Sequence, residues 1–383
     1  MAAFADYQNE VYLNGLFGEA PTLPFGWPEI RDAAYAVMSP QAVGYVEGSA
    51  GTEDTALANR EAFSRWRLVP RMLRGIPAAR THETTVLGLT MPAPVMLAPV
   101  GVLSIVHPEG ELAVARAAAR LGVPMVVSTA ASHTMEDVMA AGGGPKWFQL
   151  YWPSDRDLAA SFVHRAEVAG YGALVVTLDT WQLGWRPRDL ATAYLPFLQA
   201  EGVANYFADP VFRAGLPEGD QGAAVLKFVG LFNNPTLTWD DLAWLREQTS
   251  LPVVLKGIQH PDDVRRARDA GVQAVVCSNH GGRQVDGAIG SLDALPGIVA
   301  AAEGALPVLF DSGVRTGADA CKALALGAAA VLLGRPWVHG LGLAGEQGVH
   351  HVLRCFLADL DLQAGLSGHA STAELGPHSL TRV

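Results

Sequence analysis

A histidine and an arginine stand three residues apart in the segment 277–287, whose sequence is CSNHGGRQVDG. The imidazole of His280 can take up or release a proton near neutral pH, and the planar guanidinium of Arg283 can bind a carboxylate through two parallel hydrogen bonds. A histidine in a glycine-rich loop is more often structural than catalytic. Here its neighbours and its position after an apolar run favour catalysis, and the segment predicts proton transfer on an acidic substrate.

Other side chains suited to chemistry stand at the ends of further apolar runs. Asp179 closes the run ALVVTLD and is expected to stabilise the protonated form of His280, while Lys256 lies in the run PVVLKGI. Charged groups such as these are costly to bury without partners. The remaining residues at such run ends are Pro99, Gly101, Ser128, Gln149, Tyr151, Thr177, Ser278, Asp311 and Ser312. Loops begin at these points, and loop starts are commonly polar, which is enough to explain any single Ser or Thr. It explains the whole set of polar residues poorly.

Two glycine and arginine pairs near the carboxyl terminus indicate an anion site. Gly313 and Arg315 lie in FDSGVRTG, and Gly334 and Arg335 lie in LLGRPWVHG. Glycines let backbone N–H groups approach an anion, and an arginine supplies charge. The alternative is a pair of tight turns with solvated arginines. The sequence has neither a G-x-G-x-x-G fingerprint after its first strand nor a phosphate-binding P-loop, so we expect a phosphorylated cofactor or substrate held in another way.

The elements that must position these residues repeat along the chain. Short apolar runs alternate with Ala-rich stretches of helical period, which is typical of parallel strands joined by helices. The runs cover residues 93–100, 123–129, 146–151, 173–179, 252–258, 274–280, 307–313 and 329–335. Eight such units predict an α/β fold, a (β/α)8 TIM barrel. In this fold the carboxyl ends of the strands form the active site, and the last two loops commonly bind phosphate.

Two segments depart from the repeat, and the first is the stretch 1–90 that precedes the first strand. We interpret residues 1–383 as a single domain with an N-terminal helical extension at 1–90, a barrel at 91–360 and a C-terminal tail at 361–383. The other departure follows the fourth strand, where a long loop at 190–235 replaces a short connection. Loops of this length in a compact barrel are commonly lids. Its Phe, Tyr and Leu residues, most of them at 195–232, predict a lid that packs on the barrel.

Composition excludes several classes of protein. A formal net charge of −11 argues against a surface for nucleic acid, because such surfaces concentrate Lys and Arg. The three cysteines have no C-x-x-C spacing, which predicts free thiols in a reducing compartment and neither disulfides nor a metal site. No stretch has the length and apolarity of a membrane span, and the first residues do not resemble a secretory signal. We therefore expect a cytoplasmic protein without membrane or nucleic-acid partners.

The motifs taken together resemble a known family. SNHGGRQ after the sixth run, LKGI, FQLYW, LDTWQLGWRPRDL and FDSGVRTGADACKALALGA are similar to the FMN-dependent enzymes that oxidise L-2-hydroxy acids. The resemblance covers nearly the whole chain, from YVEGSAGTEDTALANREAFSRWRLVPRML onward. Within that family, LGWRPRDL, NYFADPVF and GIQHPDD are most similar to the lactate 2-monooxygenase branch.

The resemblance implies FMN as the cofactor and a role for each residue. His280 would take a proton during oxidation at the substrate Cα, Asp179 would stabilise the imidazolium, and Lys256 would face the flavin ring. Arg283, Arg186 and Tyr45 would bind or steer the substrate carboxylate, and Tyr151 would hydrogen-bond the substrate oxygen. The implied FMN contacts are Pro99, Val100, Gly101, Ser128, Gln149, Thr177, Lys256, Ser278, Asp311, Ser312, Gly313, Arg315, Gly334 and Arg335.

The sequence leaves alternatives for the substrate and for the products of the reaction. Gly101 stands where many members have alanine, and Ala130 replaces a larger residue of some relatives, so the pocket is expected to accept more than lactate. We expect oxygen as electron acceptor and L-lactate converted to acetate, CO2 and water. The alternative is an oxidase that releases the 2-oxo acid and H2O2. Alternatives of another class are a barrel that binds a phosphorylated metabolite without redox chemistry and an FMN isomerase. The resemblance further implies a homo-tetramer or homo-octamer.

Overall fold

An N-terminal extension precedes the barrel in the computed structural model, which describes residues 3–383. Its elements are α1 (Asp6–Leu16), α2 (Trp27–Val37), α3 (Pro40–Glu47), α4 (Asp54–Ser64), β1 (Trp66–Leu68), β2 (Thr84–Val86) and β3 (Leu89–Met91). Pro40 at the start of α3 has the fixed φ that a first helical turn needs, and the Ser39 side chain caps that helix by accepting from the N–H of Ala42. The first part of the extension, up to Ser64, is helical, and three short strands follow it before the barrel.

Eight parallel strands close into a barrel and confirm the predicted fold. They are β4 (Val95–Leu97), β5 (Met125–Ser128), β6 (Lys146–Leu150), β7 (Leu174–Thr177), β8 (Val253–Ile258), β9 (Ala274–Cys277), β10 (Val308–Phe310) and β11 (Ala330–Leu333). Each strand pairs with the next along the chain, and β11 pairs with β4 to complete the circle. Each strand lies inside one predicted apolar run. Almost every strand residue is buried, because helices cover the outside of the barrel and side chains fill its inside.

Helices follow the strands in the alternating order of a (β/α)8 barrel. They are α5 (Gly110–Arg120), α6 (Met135–Ala140), α7 (Arg156–Ala169), α8 (Pro187–Ala191), α9 (Ala204–Phe207), α10 (Pro210–Arg213), α11 (Gln221–Phe232), α12 (Asp241–Glu247), α13 (Pro261–Asp269), α14 (Ser291–Ala302), α15 (Gly317–Ala325) and α16 (Arg335–Leu366). A last strand, β12 (Leu380–Arg382), pairs antiparallel with β1 and joins the C-terminal tail to the extension. Among the described residues, no helix is long and apolar enough to cross a membrane.

The long connection between β7 and β8 is folded and packs on the barrel. It contains the short helices α8 to α11 and a 3-10 helix at Pro196–Gln199. Phe197, Tyr206, Phe212, Phe228 and Phe232 are buried and pack ring against ring; the Tyr206 and Phe228 centroids lie 4.8 Å apart. This aromatic packing explains why the segment has so many large apolar residues. Its opening and closing, like the division of the chain at residues 90 and 360, stays a prediction.

A buried carboxylate ties the N-terminal extension to α16. Asp361, which is 1% exposed, accepts hydrogen bonds from the Ala5 N–H at 2.9 Å, from Arg80 and from His82 Nε2 at 3.0 Å. Burial alone raises the pKa of Asp361, but the hydrogen bonds from His82 and Arg80 outweigh burial and lower the pKa to about 2. The ionised carboxylate therefore contributes to stability above the ordinary carboxyl pKa, and this contribution is lost as the pH falls toward 2.

Replacing Asp361 by asparagine should destabilise the fold by about 3 kcal/mol, since the buried donors that converge on Asp361 lose their acceptor charge. Thermal unfolding followed by far-UV circular dichroism measures the loss. D32N, which removes an exposed carboxylate paired with Arg31, is the matched control and should unfold close to the wild type. Equal midpoints for D361N and D32N would show that the Asp361 cluster does not hold the extension in place.

Candidate active site

One cavity opens at the carboxyl ends of the barrel strands and brings the predicted residues together. Its volume is about 1120 Å³, including the space open at its mouth. The predicted residues that line it are Tyr45, Pro99, Val100, Gly101, Ser128, Tyr151, Arg186, Lys256, His280, Arg283, Asp311, Ser312, Gly313, Arg315, Gly334 and Arg335. The other predicted residues lie behind the wall and support it: Asp179, Gln149, Thr177 and Ser278. Residues from the carboxyl ends of all eight barrel strands or the loops after them, and from the N-terminal extension, thus meet at one place.

The supporting residues act through short hydrogen bonds. Gln149 Oε1 accepts from Ser128 Oγ at 3.0 Å, and Gln149 Nε2 donates to Thr177 Oγ1 at 3.0 Å. These hydrogen bonds link β5, β6 and β7, because the register of the strands sets Ser128 beside Gln149. It leaves oriented polar groups at the floor of the cavity that could contact a planar heterocycle.

His280, which lines the cavity, forms a close pair with Asp179 behind it. His280 Nδ1 lies 2.7 Å from Asp179 Oδ1, and the Thr180 hydroxyl lies 2.9 Å from the same oxygen. The other ring nitrogen, His280 Nε2, faces the cavity and lies 3.4 Å from the Tyr151 hydroxyl. Because the carboxylate accepts the Nδ1 proton, Nε2 is the nitrogen that can accept a proton from a ligand. The expected contact between Asp179 and His280 is present.

The protonation states of this pair suit a base. Burial lowers the pKa of His280, as do the nearby charges of Lys256 and Arg186, and together they outweigh Asp179. Burial raises the pKa of Asp179, but His280 and Lys256 reverse that effect and hold it below its usual range. At neutral pH the site therefore holds a neutral imidazole beside an ionised carboxylate, which is the arrangement that can accept a proton and stabilise the resulting cation.

A glycine in β8 leaves space for the carboxylate of Asp179. Gly257 has φ +105° and lies at an irregularity in the pairing of β8 with β9. A Cβ on this residue would lie 2.9 Å from three atoms of Asp179, which is closer than such atoms approach. The bulge also places the neighbouring Lys256 toward the cavity. Any larger residue at 257 would displace the aspartate.

Two arginines near the mouth have no carboxylate partner among residues 3–383. Arg186 is 7% exposed and donates to the Arg283 carbonyl at 3.0 Å and to Gln284 Oε1 at 2.6 Å. Burial and the charge of Arg283 lower the pKa of Arg186 to about 10. The Arg283 guanidinium lies 5.0 Å above the Tyr45 ring and donates to the carbonyls of Tyr45 and Gly48. Two enclosed guanidinium groups that face a cavity create a strong preference for an anion such as a carboxylate.

The ammonium of Lys256 is held in its charged form. Its Nζ lies 3.0 Å from Asp311 Oδ2 and donates to Ser278 Oγ at 3.0 Å. Burial lowers the pKa of Lys256, but the carboxylates of Asp311 and Asp179 outweigh burial and raise it. A fixed positive charge therefore lies at the floor of the cavity, where it would stabilise negative charge on a ligand.

A second anion site lies where β10 and β11 end. Burial and the charges of Arg335 and Arg60 lower the pKa of Arg315 to about 9, and its guanidinium stacks 4.9 Å from the Trp27 ring. No carboxylate lies within ion-pair distance of Arg315 in the part of the chain that the structure describes. A Cβ on Gly334 would meet only Ala98, at 4.0 Å, so the backbone here is open to a ligand. These groups fit the phosphate predicted from the sequence.

Several contributors to the site were not found from the sequence. Thr180 follows Asp179 directly, and this adjacency is the only signal that could have singled it out. Glu47 lies 2.7 Å from His339 and 3.9 Å from Arg335, beneath the second anion site. Phe197 and Phe232 line the cavity from the long connection, and their role depends on packing that no local pattern shows.

The fold and the site define an α/β-barrel enzyme that binds a phosphorylated ligand and an acid beside a proton acceptor. The chain belongs to the FMN-dependent dehydrogenase family, whose model matches residues 34–382. It is 44% identical over 388 residues to an FMN-dependent alpha-hydroxy acid dehydrogenase of Penicillium citrinum, covering 99% of this chain and 96% of the relative. It is 41% identical over 374 residues to an L-lactate oxidase of Lysinibacillus sphaericus, covering 97% and 96%.

Solved structures agree with the family. A crystal structure of mandelate oxidase with (S)-4-hydroxymandelic acid superposes with a TM-score of 0.84 at 39% identity and covers 94% of this chain and 98% of that one. Together the comparisons establish FMN as the cofactor and the oxidation of 2-hydroxy acids as the class of reaction. The cavity fits FMN on its own residues, because the buried guanidinium of Arg315, which has no carboxylate within ion-pair distance among residues 3–383, suits a phosphate at one end, and polar groups line the floor.

Replacing Arg315 by methionine should weaken FMN binding by about tenfold or more, since a charge-assisted contact to phosphate is lost. The fluorescence of FMN released on dilution gives the dissociation constant. R120M removes an exposed arginine far from the cavity and should retain FMN like the wild type. Unchanged FMN retention in R315M would place the phosphate elsewhere.

Replacing Asp179 by asparagine should slow reduction of the flavin by a 2-hydroxy acid about a hundredfold or more, since the imidazolium loses its counterion. Because Asp179 raises the pKa of His280, its loss should lower that pKa further. The acid limb of the rate, which falls as His280 becomes protonated, should then move to lower pH. Anaerobic stopped-flow reduction across a pH series measures both effects. D240N, an exposed carboxylate outside the cavity, is the control, and an acid limb in D179N at the wild-type pH would refute the pairing.

Proposed function

We propose that this FMN-dependent enzyme oxidises L-lactate with O2. The observation that carries the proposal is the arrangement around His280: a neutral imidazole with Nε2 facing the cavity, next to Tyr151 and two arginines without carboxylate partners. A 2-hydroxy acid offers a carboxylate to the arginines and a hydroxyl to Nε2 on adjacent carbons. The surrounding wall of Ala130, Leu183 and Phe197 is apolar, which suits a methyl substituent.

Each side chain then has a task. Arg283, Arg186 and Tyr45 bind and orient the substrate carboxylate, and the Tyr151 hydroxyl holds the substrate oxygen beside His280. His280 Nε2 accepts a proton as the substrate is oxidised at Cα, and Asp179 together with Thr180 stabilises the imidazolium. FMN supplies the acceptor for the two electrons that leave the substrate. Lactate thereby loses two electrons and two protons and becomes pyruvate.

The remaining residues are assigned to the cofactor. Pro99, Val100, Gly101, Ser128, Gln149, Thr177 and Lys256 would hold the flavin ring. Lys256 keeps its charge and would stabilise negative charge on the bound ring. The ribityl chain and phosphate are assigned to Asp311, Ser312, Gly313, Arg315, Gly334 and Arg335, and Ser278 orients Lys256.

The fate of pyruvate decides the overall reaction. If pyruvate stays in the closed site while O2 is reduced, lactate and O2 give acetate, CO2 and water; if it leaves first, the products are pyruvate and H2O2. Release from such sites is commonly governed by loops that cover them. The segment 195–232 packs tightly over the cavity through buried aromatic rings, which supports retention and acetate. Relatives named L-lactate oxidase support the second outcome.

We expect acetate as the main product when the enzyme turns over L-lactate in air. Pyruvate, acetate and H2O2 must be quantified together in one reaction without catalase, because catalase would remove the H2O2. H2O2 that the enzyme releases also decarboxylates free pyruvate in solution. A parallel reaction with catalase separates acetate made in the site from acetate made in solution. Pyruvate and H2O2 in equal amounts, with little acetate, would make the enzyme an oxidase with the same residue roles.

Replacing His280 by glutamine should abolish flavin reduction by L-lactate while FMN stays bound, since the assigned phosphate and ring contacts involve other residues. The visible flavin absorbance reports the bound cofactor, and its anaerobic bleaching reports reduction. A yellow H280Q protein that bleaches at the wild-type rate would remove His280 from the mechanism. Wild-type protein that no L-2-hydroxy acid bleaches would instead favour another FMN chemistry, such as isomerisation. The cytoplasmic location and the homo-tetramer or homo-octamer stay predictions.

A further inference from the structure

The part of the long connection nearest the cavity is fastened to the barrel. Ala204 N–H donates to the Ala131 carbonyl at 3.2 Å, and Asn205 Nδ2 donates to the Thr129 carbonyl at 3.0 Å. Glu201 accepts from the Ser104 hydroxyl, which lies 2.8 Å from Ser132 Oγ. These contacts join residues 201–205 to the loops after β4 and β5. The segment 196–205 is therefore a fixed wall of the cavity.

Three small residues let this wall approach the strand ends closely. Gly202 has φ +73°, and a Cβ there would lie 2.7 Å from Val102 Cγ2, 3.0 Å from the Ala130 carbonyl oxygen and 3.2 Å from the Phe197 ring. A Cβ on Gly101 would lie 2.5 Å from the same Ala130 oxygen. The backbone of residue 202 thus sits directly on Ala130, and it brings the Phe197 ring to the side of Ala130.

Phe197 is held in this place by other rings. Its centroid lies 5.2 Å from that of Phe228 and 5.6 Å from that of Phe232. Phe232 lies 5.3 Å from Tyr151, whose hydroxyl faces His280. A continuous aromatic wall therefore runs from the proton-transfer groups to Phe197. Phe197 is 5% exposed and lines the cavity, so its remaining free surface faces the ligand.

We infer that Phe197 is a specificity-determining residue that limits the substrate side chain to a small aliphatic group. The small side chain of Ala130 by itself leaves room for a bulky substituent, and the ring of Phe197 beside it takes up that room. The size limit is thus set by the connection between β7 and β8. This inference rests on the proposed oxidation of a 2-hydroxy acid.

The test compares L-lactate with L-mandelate in the wild type and in F197A. We expect the ratio of kcat/KM for mandelate to that for lactate to rise about tenfold or more in F197A, because space for the phenyl group opens. Titration of the oxidised enzyme with benzoylformate and with pyruvate, followed by flavin absorbance, should show the same shift in dissociation constants without turnover. F197L should shift both ratios in the same direction by less, and it decides the question if F197A fails to fold.

F212A is the matched control. Phe212 is a buried ring of the same connection that packs on Tyr206 and Phe207 and does not line the cavity, so F212A loosens the segment without enlarging the site. Its substrate ratio should equal that of the wild type. Three results would overturn the inference. They are unchanged substrate ratios in both F197A and F197L, a shift in F212A equal to that in F197A, and a wild type that prefers mandelate to lactate. Failure of the oxidation of 2-hydroxy acids, on which the inference rests, differs from all three, because then no 2-hydroxy acid would bleach the wild-type flavin.

Discussion

Positive charge enclosed at one edge of the barrel is the constraint on which the site depends. The chain as a whole carries a formal net charge of −11, yet Lys256, Arg186, Arg283, Arg315 and Arg335 all face one cavity. Enclosing cations is costly unless anions compensate them. Lys256 has Asp311, but the lowered pKa values of Arg186, Arg315 and Arg335 show that nearby protein groups do not fully compensate those three. On the proposed assignment, the phosphate of the cofactor and the carboxylate of the substrate complete the charge balance, and their binding stabilises the folded chain.

The same edge holds backbone conformations that are unfavourable in isolation. His280 and Ser312 both have positive φ, at 57° and 81°. The surroundings hold them: Ser312 Oγ accepts from Gly281 N–H, and Asn279 exchanges two side-chain hydrogen bonds with Asn59 of α4. Backbone strain of this kind persists only where neighbouring contacts stabilise it. At His280 the positive φ turns the imidazole toward the cavity. The N-terminal extension is therefore part of the site, as the hydrogen bonds from Arg283 to Tyr45 and Gly48 also show.

Most of the charged groups lie at the ends of the barrel strands, whereas the aromatic wall comes from the connection between β7 and β8, which also supplies Arg186. The barrel strands supply the base, the ammonium and the polar floor, and these are the groups that any 2-hydroxy acid requires. The connection between β7 and β8 supplies the aromatic rings of Phe197 and Phe232, which line the cavity. Fixed hydrogen bonds such as those of Asn205 hold this wall against the loop after β5.

The sequence by itself determined the barrel, because buried parallel strands must be apolar on both faces and leave eight runs that can be counted. It also determined His280, Arg283, Lys256 and the glycine and arginine pairs, since polar residues at the ends of such runs converge on one edge. Only the tertiary structure decided the contacts that join distant segments. The room that Gly257 makes for Asp179, the position of Glu47 beneath Arg335 and the approach of Phe197 to Ala130 depend on distances of a few ångströms between segments far apart in the chain. No local pattern records such distances, because they arise when packing against the closed barrel selects one arrangement of its loops.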